Sequence, residues 1–391
     1  MPRTICYVEA NKDGTIGGSH YCLLDLVKHL DRARFSPHVV FFHDHSLVDA
    51  FRQCAQVTIL KKPAGLRIPG SFGKLPPVRL FQRFVNAVLF KPLEWLTAWR
   101  TLRRISPDLL HMNNSPTDWS WIDSAVRLGI PIFSHIRGCW TLTPAHKRLA
   151  ASCKRIIAIS DFVSQNFQKQ TGPMPSVVTV LDGIDIANFL EKPRRTREEV
   201  LSELSLPENC LLIGMVGNIK RWKGQHVFLE AMEQLVQQHG NVYATIVGGV
   251  SNIPDDKLYH SELILFATTD RLATRVSFTG FTSDPSYMSA ADICVHASTD
   301  PEPLGRVIVE AQLLGKPVVA SAHGGPLELV EDGVTGCLTA PGNSVELAQK
   351  LEELISSPTL REKLGRQGRA YACDKYDIRG YADRIMQIYD E

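Results

Sequence analysis

The chain has no cysteines at C-x-x-C spacing, no uncharged apolar run near the roughly 18 residues that span a bilayer, and no Asp-x-Asp closing a strand-like segment. Each absence excludes something. Nine cysteines, an odd number scattered mostly through apolar stretches, argue against a disulfide framework or a zinc site and for reduced thiols. Without an acidic pair to hold a divalent ion on a diphosphate, neither a metal nor a cofactor is expected; Asp255-Asp256 reads as a solvated polar loop. The full G-x-G-x-x-G spacing is missing around Gly17-Gly18, which weakens a dinucleotide reading. There is no fixed-period repeat and no low-complexity tract. The opening MPRTICYVEA carries no signal-peptide pattern, so a cytoplasmic location is the expectation.

What remains is an ordinary globular composition of 391 residues, 44% hydrophobic and 21% charged, long enough for two domains. The net charge of +2 hides an asymmetry. Residues 1–190 hold 23 Lys and Arg against 13 Asp and Glu, and residues 191–391 hold 20 against 28. Within residues 52–104 there are 11 basic residues and one acid, Glu94, a one-sidedness that suggests an anionic partner.

Short apolar strands alternate with helical patterns through both halves, the mark of parallel α/β domains. TICYVEA, PHVVFFH, DLLHMN, PIFSHIRG, RIIAIS and SVVTVL read as strands of the first. LLIGMVGN, YATIVGG, VSFTGF, ICVHAS, PVVAS and GCLTA read as strands of the second. The charged, Pro-containing NFLEKPRRTREEV places the boundary near 190/191, giving domains 1–190 and 191–373 and a closing helix over 374–391.

The densest chemistry lies in residues 300–341, DPEPLGRVIVEAQLLGKPVVASAHGGPLELVEDGVTGCLTAP. Glu302 lies in a Pro-bounded loop, Gly305 opens a helix, and Glu310 sits inside it. A helix start with free N–H groups is a natural anion site. Carboxylates on both sides of it suit a nucleotide sugar, with Glu310 on a ribose, the helix start on a diphosphate and Glu302 on the sugar. Upstream, VGNIKRWKG offers Gly217 at a strand end and Lys223 as a point charge for the same diphosphate.

The string Glu302-Pro303-Leu304-Gly305, Glu310, Gly315-x-Pro317-Val318-x-Ala320 and Gly324-Gly325-x-x-Glu328 resembles the signature of the retaining glycosyltransferases of family 4. The resemblance implies the GT-B fold: two Rossmann-like domains with parallel sheets facing across a cleft, and a last helix crossing back to the first domain. The first domain, 1–190, would bind the acceptor, and the second, 191–373, the nucleotide sugar. It also implies a metal-independent, retaining hexosyltransferase that moves a sugar from a UDP- or GDP-linked donor to a glycan or lipid-linked acceptor. Nucleic acid is not among the expected partners.

By the same resemblance Lys223, Gly217, Leu304, Gly305, Arg306 and Glu310 would bind the donor, with Gly17 and Gly18 facing it from the first domain. Asn218 stands where the family carries arginine, which removes a charge from the leaving group unless Lys220, Arg221 or Arg306 replaces it. His135 would reach the donor sugar as a catalytic residue beside Glu302 and Lys223, and His111, Asn113 and Arg137 would lie on the acceptor side. A sugar-nucleotide epimerase and an inactive GT-B subunit supporting a partner transferase remain alternatives.

Residues 78–105, VRLFQRFVNAVLFKPLEWLTAWRTLRRI, set Phe81, Phe84, Val85, Val88, Leu89, Leu93, Leu96 and Trp99 on one helical side among basic residues. Such a face suits an anionic membrane surface, reached peripherally from the inner side, or packs on the domain's own sheet. Pro92 is expected to divide it.

Overall fold

The computed structural model describes residues 1–9, 16–61, 76–174, 176–269 and 271–391. Contacts divide the chain into two units, Met1–Gly183 with Ile378–Glu391, and Ile184–Asp377. The divisions fall close to, though not at, the 190/191 and 373/374 expected from charge and proline content.

The first unit is built on a seven-stranded parallel sheet ordered β3-β2-β1-β4-β5-β6-β7. Its strands are β1 (Arg3–Val8), β2 (Phe35–Phe41), β3 (Gln56–Ile59), β4 (Leu109–Met112), β5 (Ile132–Ile136), β6 (Arg155–Ala158) and β7 (Val177–Thr179). Strand β3, QVTI, escaped the sequence reading because it is short, half-exposed and follows a polar stretch. The interior strands are buried on both faces, as in a sheet covered by helices on each side.

The second unit carries a six-stranded sheet ordered β10-β9-β8-β11-β12-β13. Here β8 is Leu211–Val216, β9 Val242–Val247, β10 Val276–Gly280, β11 Ile293–His296, β12 Val318–Ser321 and β13 Cys337–Thr339. Every pairing is parallel. Both sheets are Rossmann-like, and the order reverses between β1 and β4 in one and between β8 and β11 in the other. Ligands of such sheets bind beyond the carboxyl ends of the strands at that reversal.

The helix Ile378–Asp390 belongs to the first unit. It buries Ile378, Tyr381, Ile385, Met386, Ile388 and Tyr389 in the core formed by Ile5, Tyr7, Leu23, Phe35 and Phe133. Arg3 and Arg34 hold its last turn through Asp390. Asp255 and Asp256 lie in the first turn of the helix Pro254–Ala267, where negative charge is favoured, rather than in a loop.

The basic amphipathic stretch forms a helix Pro76–Val85, a π-helical turn Asn86–Phe90 and a helix Lys91–Ile105. Pro92 sits in the first turn of the last helix, where its missing N–H costs nothing. The stripe divides in two. Ala98 and Leu102 are buried, and Trp95 donates its indole N–H to Asp123 Oδ2 at 2.7 Å, so the C-terminal part packs on the helix Trp119–Leu128. Leu80, Phe81, Phe84, Val88, Leu89 and Leu93 are each at least 50% exposed. The basic residues Lys62, Arg67 and Lys74 lie outside the described residues.

Candidate functional site

In the second unit the sequence-predicted residues converge at the carboxyl edge, around the reversal between β8 and β11. Strand β8 ends at Val216 and leads into Gly217, Asn218 and the 3-10 turn Arg221–Lys223. Strand β11 ends at His296 and leads into the loop bearing Glu302. Two close backbone approaches bring these loops together. Gly224, at φ +75°, lies so near β11 that a methyl group there would stand 1.9 Å from the Ala297 carbonyl oxygen. The Thr299 N–H also donates to Trp222 O at 2.8 Å. On the other side, Glu302 forms an isolated parallel bridge with Gly324, and a methyl group on Gly325 would stand 2.4 Å from Leu304 Cα. The Gly-Gly pair is therefore there to let the Glu302 loop lie against backbone.

Lys223 Nζ is thereby placed on Glu302 Oε2 in a largely buried ion pair. Two further groups meet the same oxygen, His296 Nε2 at 3.3 Å and Ser298 Oγ at 3.3 Å. Burial by itself would raise the Glu302 carboxyl. The hydrogen bond from His296 and the charge of Lys223 outweigh it and hold the group at about 2. Because the folded value lies below the ordinary 4.5, the stabilisation is complete above that pH and is lost as pH falls from there towards 2.

Leu304 is buried, and Gly305 caps the helix Arg306–Leu313, whose N-terminal end lies at this edge. Arg306 Nε donates to Glu310 Oε1 at 3.0 Å along one helix face. Arg221, one candidate for the charge missing at Asn218, pairs with Glu262 and stacks 4.7 Å over Tyr259. Asn218 itself is exposed, and its carbonyl accepts from Gln225 Nε2 at 3.0 Å. Among the described residues no group of three His, Cys, Asp or Glu side chains is placed to hold a metal ion.

In the first unit, Gly17 and Gly18 are exposed at the start of the helix Gly18–Lys28, where the Gly17 N–H donates to His20 Nδ1 at 3.3 Å. The strands β1, β4 and β5 end in a polar network. Asn113 and Asn114 donate to the buried Glu9 carboxylate, and Arg137 Nε donates to Asn113 O at 3.0 Å. Arg137 also pairs with Asp182 at 2.5 Å, both side chains only 7% exposed.

His135 departs from expectation. It lies inside β5, fully buried, with Nδ1 2.6 Å from His111 Nε2 and Nε2 3.1 Å from the Tyr381 hydroxyl. His111 Nδ1 in turn lies 2.6 Å from the Tyr389 hydroxyl, which donates to Tyr7. With both ring nitrogens engaged, His135 has none left for a sugar. Burial and the nearby Arg137 hold His111 at about 3 and His135 well below its ordinary value, so both rings are neutral. One proton per group then orders the string: Tyr381 donates to His135, His135 to His111, His111 to Tyr389 and Tyr389 to Tyr7. His111 and His135 bind the closing helix to the sheet. Ser160 is likewise structural, capping the helix Asp161–Thr171 by accepting from the Val163 N–H at 3.1 Å.

The sequence reading missed His296 and Ser298 in the second unit and Glu9 in the first. The signal was a polar residue closing an apolar strand, as in ICVHAS and TICYVEA.

The sequence pattern of the glycosyl transferases group 1 matches residues 196–371, and that of Glycosyltransferase Family 4 matches residues 16–188. The chain belongs to the family 4 glycosyltransferases. It is 25% identical over 309 residues to spore coat protein SA of Bacillus subtilis (strain 168), covering 74% of this chain and 80% of that one. It is 28% identical over 253 residues to the capsular polysaccharide biosynthesis glycosyltransferase CapM of Staphylococcus aureus, covering 62% and 63%. Among solved structures, Anabaena HepE in complex with UDP aligns at a TM-score of 0.79 and 27% identity over 99% of both chains, and its complex with UDP-glucose at 0.78. The fold is GT-B.

Proposed function

We propose that this protein transfers a hexose with retention from a UDP-linked donor to a glycan or lipid-linked acceptor, in polysaccharide or glycoconjugate synthesis, without a metal. The carrying observation is the pairing of Lys223 with Glu302 beyond the carboxyl ends of β8 and β11, with Gly305 and Glu310 on the helix that follows. HepE, crystallised with UDP and with UDP-glucose, favours uridine over guanosine as the donor base, and CapM favours a polysaccharide product.

Glu310 holds the ribose, Lys223 and the helix start at Gly305 hold the diphosphate, and Glu302 with the Leu304–Gly305 backbone holds the sugar hydroxyls. The bond between the anomeric carbon and the diphosphate breaks as the acceptor oxygen attacks from the same face. The acceptor proton passes to the departing phosphate, giving the glycoside and UDP. The protein's part is to orient both substrates and to stabilise charge on the leaving group.

The first test is thermal stabilisation by a panel of nucleotides and nucleotide sugars, in which UDP and a UDP-sugar should raise the melting temperature most. No response to any of them would overturn the reading. Release of UDP from UDP-glucose then separates a transferase from an epimerase or an inactive subunit. Metal independence has its own check. Activity should survive EDTA, whereas Lys223→Ala should lower it by about a hundredfold, the effect of removing one preorganised charge-stabilising group. Loss on chelation and recovery with Mg²⁺ or Mn²⁺ would refute this.

The acceptor is reached at an anionic bilayer. The support is the exposed face Leu80, Phe81, Phe84, Val88, Leu89 and Leu93, set in a segment with 11 basic residues and one acid. Among the described residues no helix is long and apolar enough to cross a membrane. Co-sedimentation with liposomes should require anionic lipid and weaken with salt. Phe81→Ser with Phe84→Ser should lower the bound fraction at least tenfold, since burying each ring contributes roughly 1.5–3 kcal/mol. Equal recovery in the supernatant with neutral and anionic vesicles at low salt would remove membrane docking from the proposal.

A further inference from the structure

His296 closes β11 at the reversal between β8 and β11, with its backbone fixed by pairing with Ala320 on β12. The side chain is 5% exposed. Its Nε2 lies 3.3 Å from Glu302 Oε2 and 3.2 Å from Ser298 Oγ, whereas Nδ1 is enclosed without a hydrogen-bond partner among the described residues. A ring proton on His296 has two places to sit. On Nδ1 it would be a buried donor with no acceptor, and the Nε2 lone pair would then face a carboxylate. On Nε2 it donates to Glu302, and the only cost is an idle lone pair. The geometry therefore selects the Nε2–H form.

The same carboxylate oxygen is held by Lys223. Lys223 has one charge, and in the function proposed above that charge serves a diphosphate. A lysine drawn onto a phosphate weakens its hold on Glu302, and an ionised carboxylate in this buried position without another donor would be displaced or neutralised.

We propose that His296 is a positioning residue that keeps Glu302 ionised and in place while Lys223 is drawn onto the donor's diphosphate. The histidine carries the carboxylate through an exchange of partners: Lys223 passes from Glu302 to phosphate, and Glu302 is left facing the sugar with its orientation kept by the Nε2–H bond and by Ser298. This rests on the assignment of Lys223 to the diphosphate. The rigid strand end supplies what the flexible lysine cannot, a donor that does not move when the anion arrives.

Two measurements on the full chain test it. In a long-range proton–nitrogen spectrum, the His296 signals, assigned by their loss in His296→Gln, should show a proton on Nε2 and should shift in Glu302→Gln. A Nδ1–H pattern, or signals indifferent to Glu302→Gln, would overturn the proposal whether or not any nucleotide binds. The second measurement is a double-mutant cycle on UDP binding by calorimetry. His296→Phe should weaken UDP about tenfold, because Lys223 is then the main donor left on Glu302 and is harder to draw away. His296→Gln, whose amide N–H reaches the Nε2 position, should stay within about twofold of the parent. In a Glu302→Gln background His296→Phe should have no further effect. A tenfold loss in both backgrounds, or Gln no better than Phe, would reduce His296 to packing and overturn the inference. Failure of the parent to bind UDP would count against the donor assignment instead, leaving the spectrum to decide the histidine.

Discussion

Replacing Glu302 with alanine is expected to lower turnover by about a hundred- to a thousandfold while leaving UDP affinity unchanged or higher. The carboxylate is assigned to the sugar, so its loss removes an interaction that matters as charge develops at the anomeric carbon. The free protein adds a second consequence. Lys223 is paired with Glu302 before any ligand arrives, so removing the glutamate releases the lysine for the diphosphate. Glu310→Ala should behave in the opposite way. It leaves Lys223 alone but removes the ribose acceptor, so UDP and the full donor should both bind about tenfold or more weakly, the effect of leaving hydroxyls unpaired. Calorimetric titration with UDP and turnover of UDP-glucose, run on both variants, separate the roles. Identical profiles for the two would show that they have been wrongly divided.

Asp182→Ala is expected to lower the stability of the first unit by about 3–5 kcal/mol. Arg137 and Asp182 face each other at 2.5 Å with side chains 7% exposed. Removing the aspartate leaves a guanidinium enclosed, still donating to Asn113 O but without its counter-charge. The guanidinium cannot escape by losing its proton, because arginine stays protonated in proteins even where burial opposes its charge. Arg137→Ala and Asp182→Ala together should cost less than Asp182→Ala alone, since the buried charge then disappears. The midpoint of urea unfolding measures both. A loss below about 1 kcal/mol for the single variant would mean that water or a rearranged network solvates the arginine.

The alternation of short apolar strands with helical patterns, together with the string from Glu302 to Glu328, was enough to read the fold class and the family from the amino-acid order alone. Apolar runs bounded by turn residues are local properties, and so is a glycine at a helix start. Twelve of the thirteen strands among the described residues were legible in this way, and the exception, QVTI, is too short and exposed to carry a periodic signal. Tertiary structure decided which side chains meet. His135 and His296 look alike in sequence, each at or near the end of an apolar strand. One is enclosed between His111 and Tyr381, and the other stands on Glu302. Tyr381 lies 246 residues from His135 along the chain. The pairing of Lys223 with Glu302 likewise depends on Gly224 and Gly325 allowing backbone contacts from separate strands. Local order determines which chemistry is present, whereas the partners of a buried polar group are set by packing between distant segments, because only there does desolvation make one partner decisive.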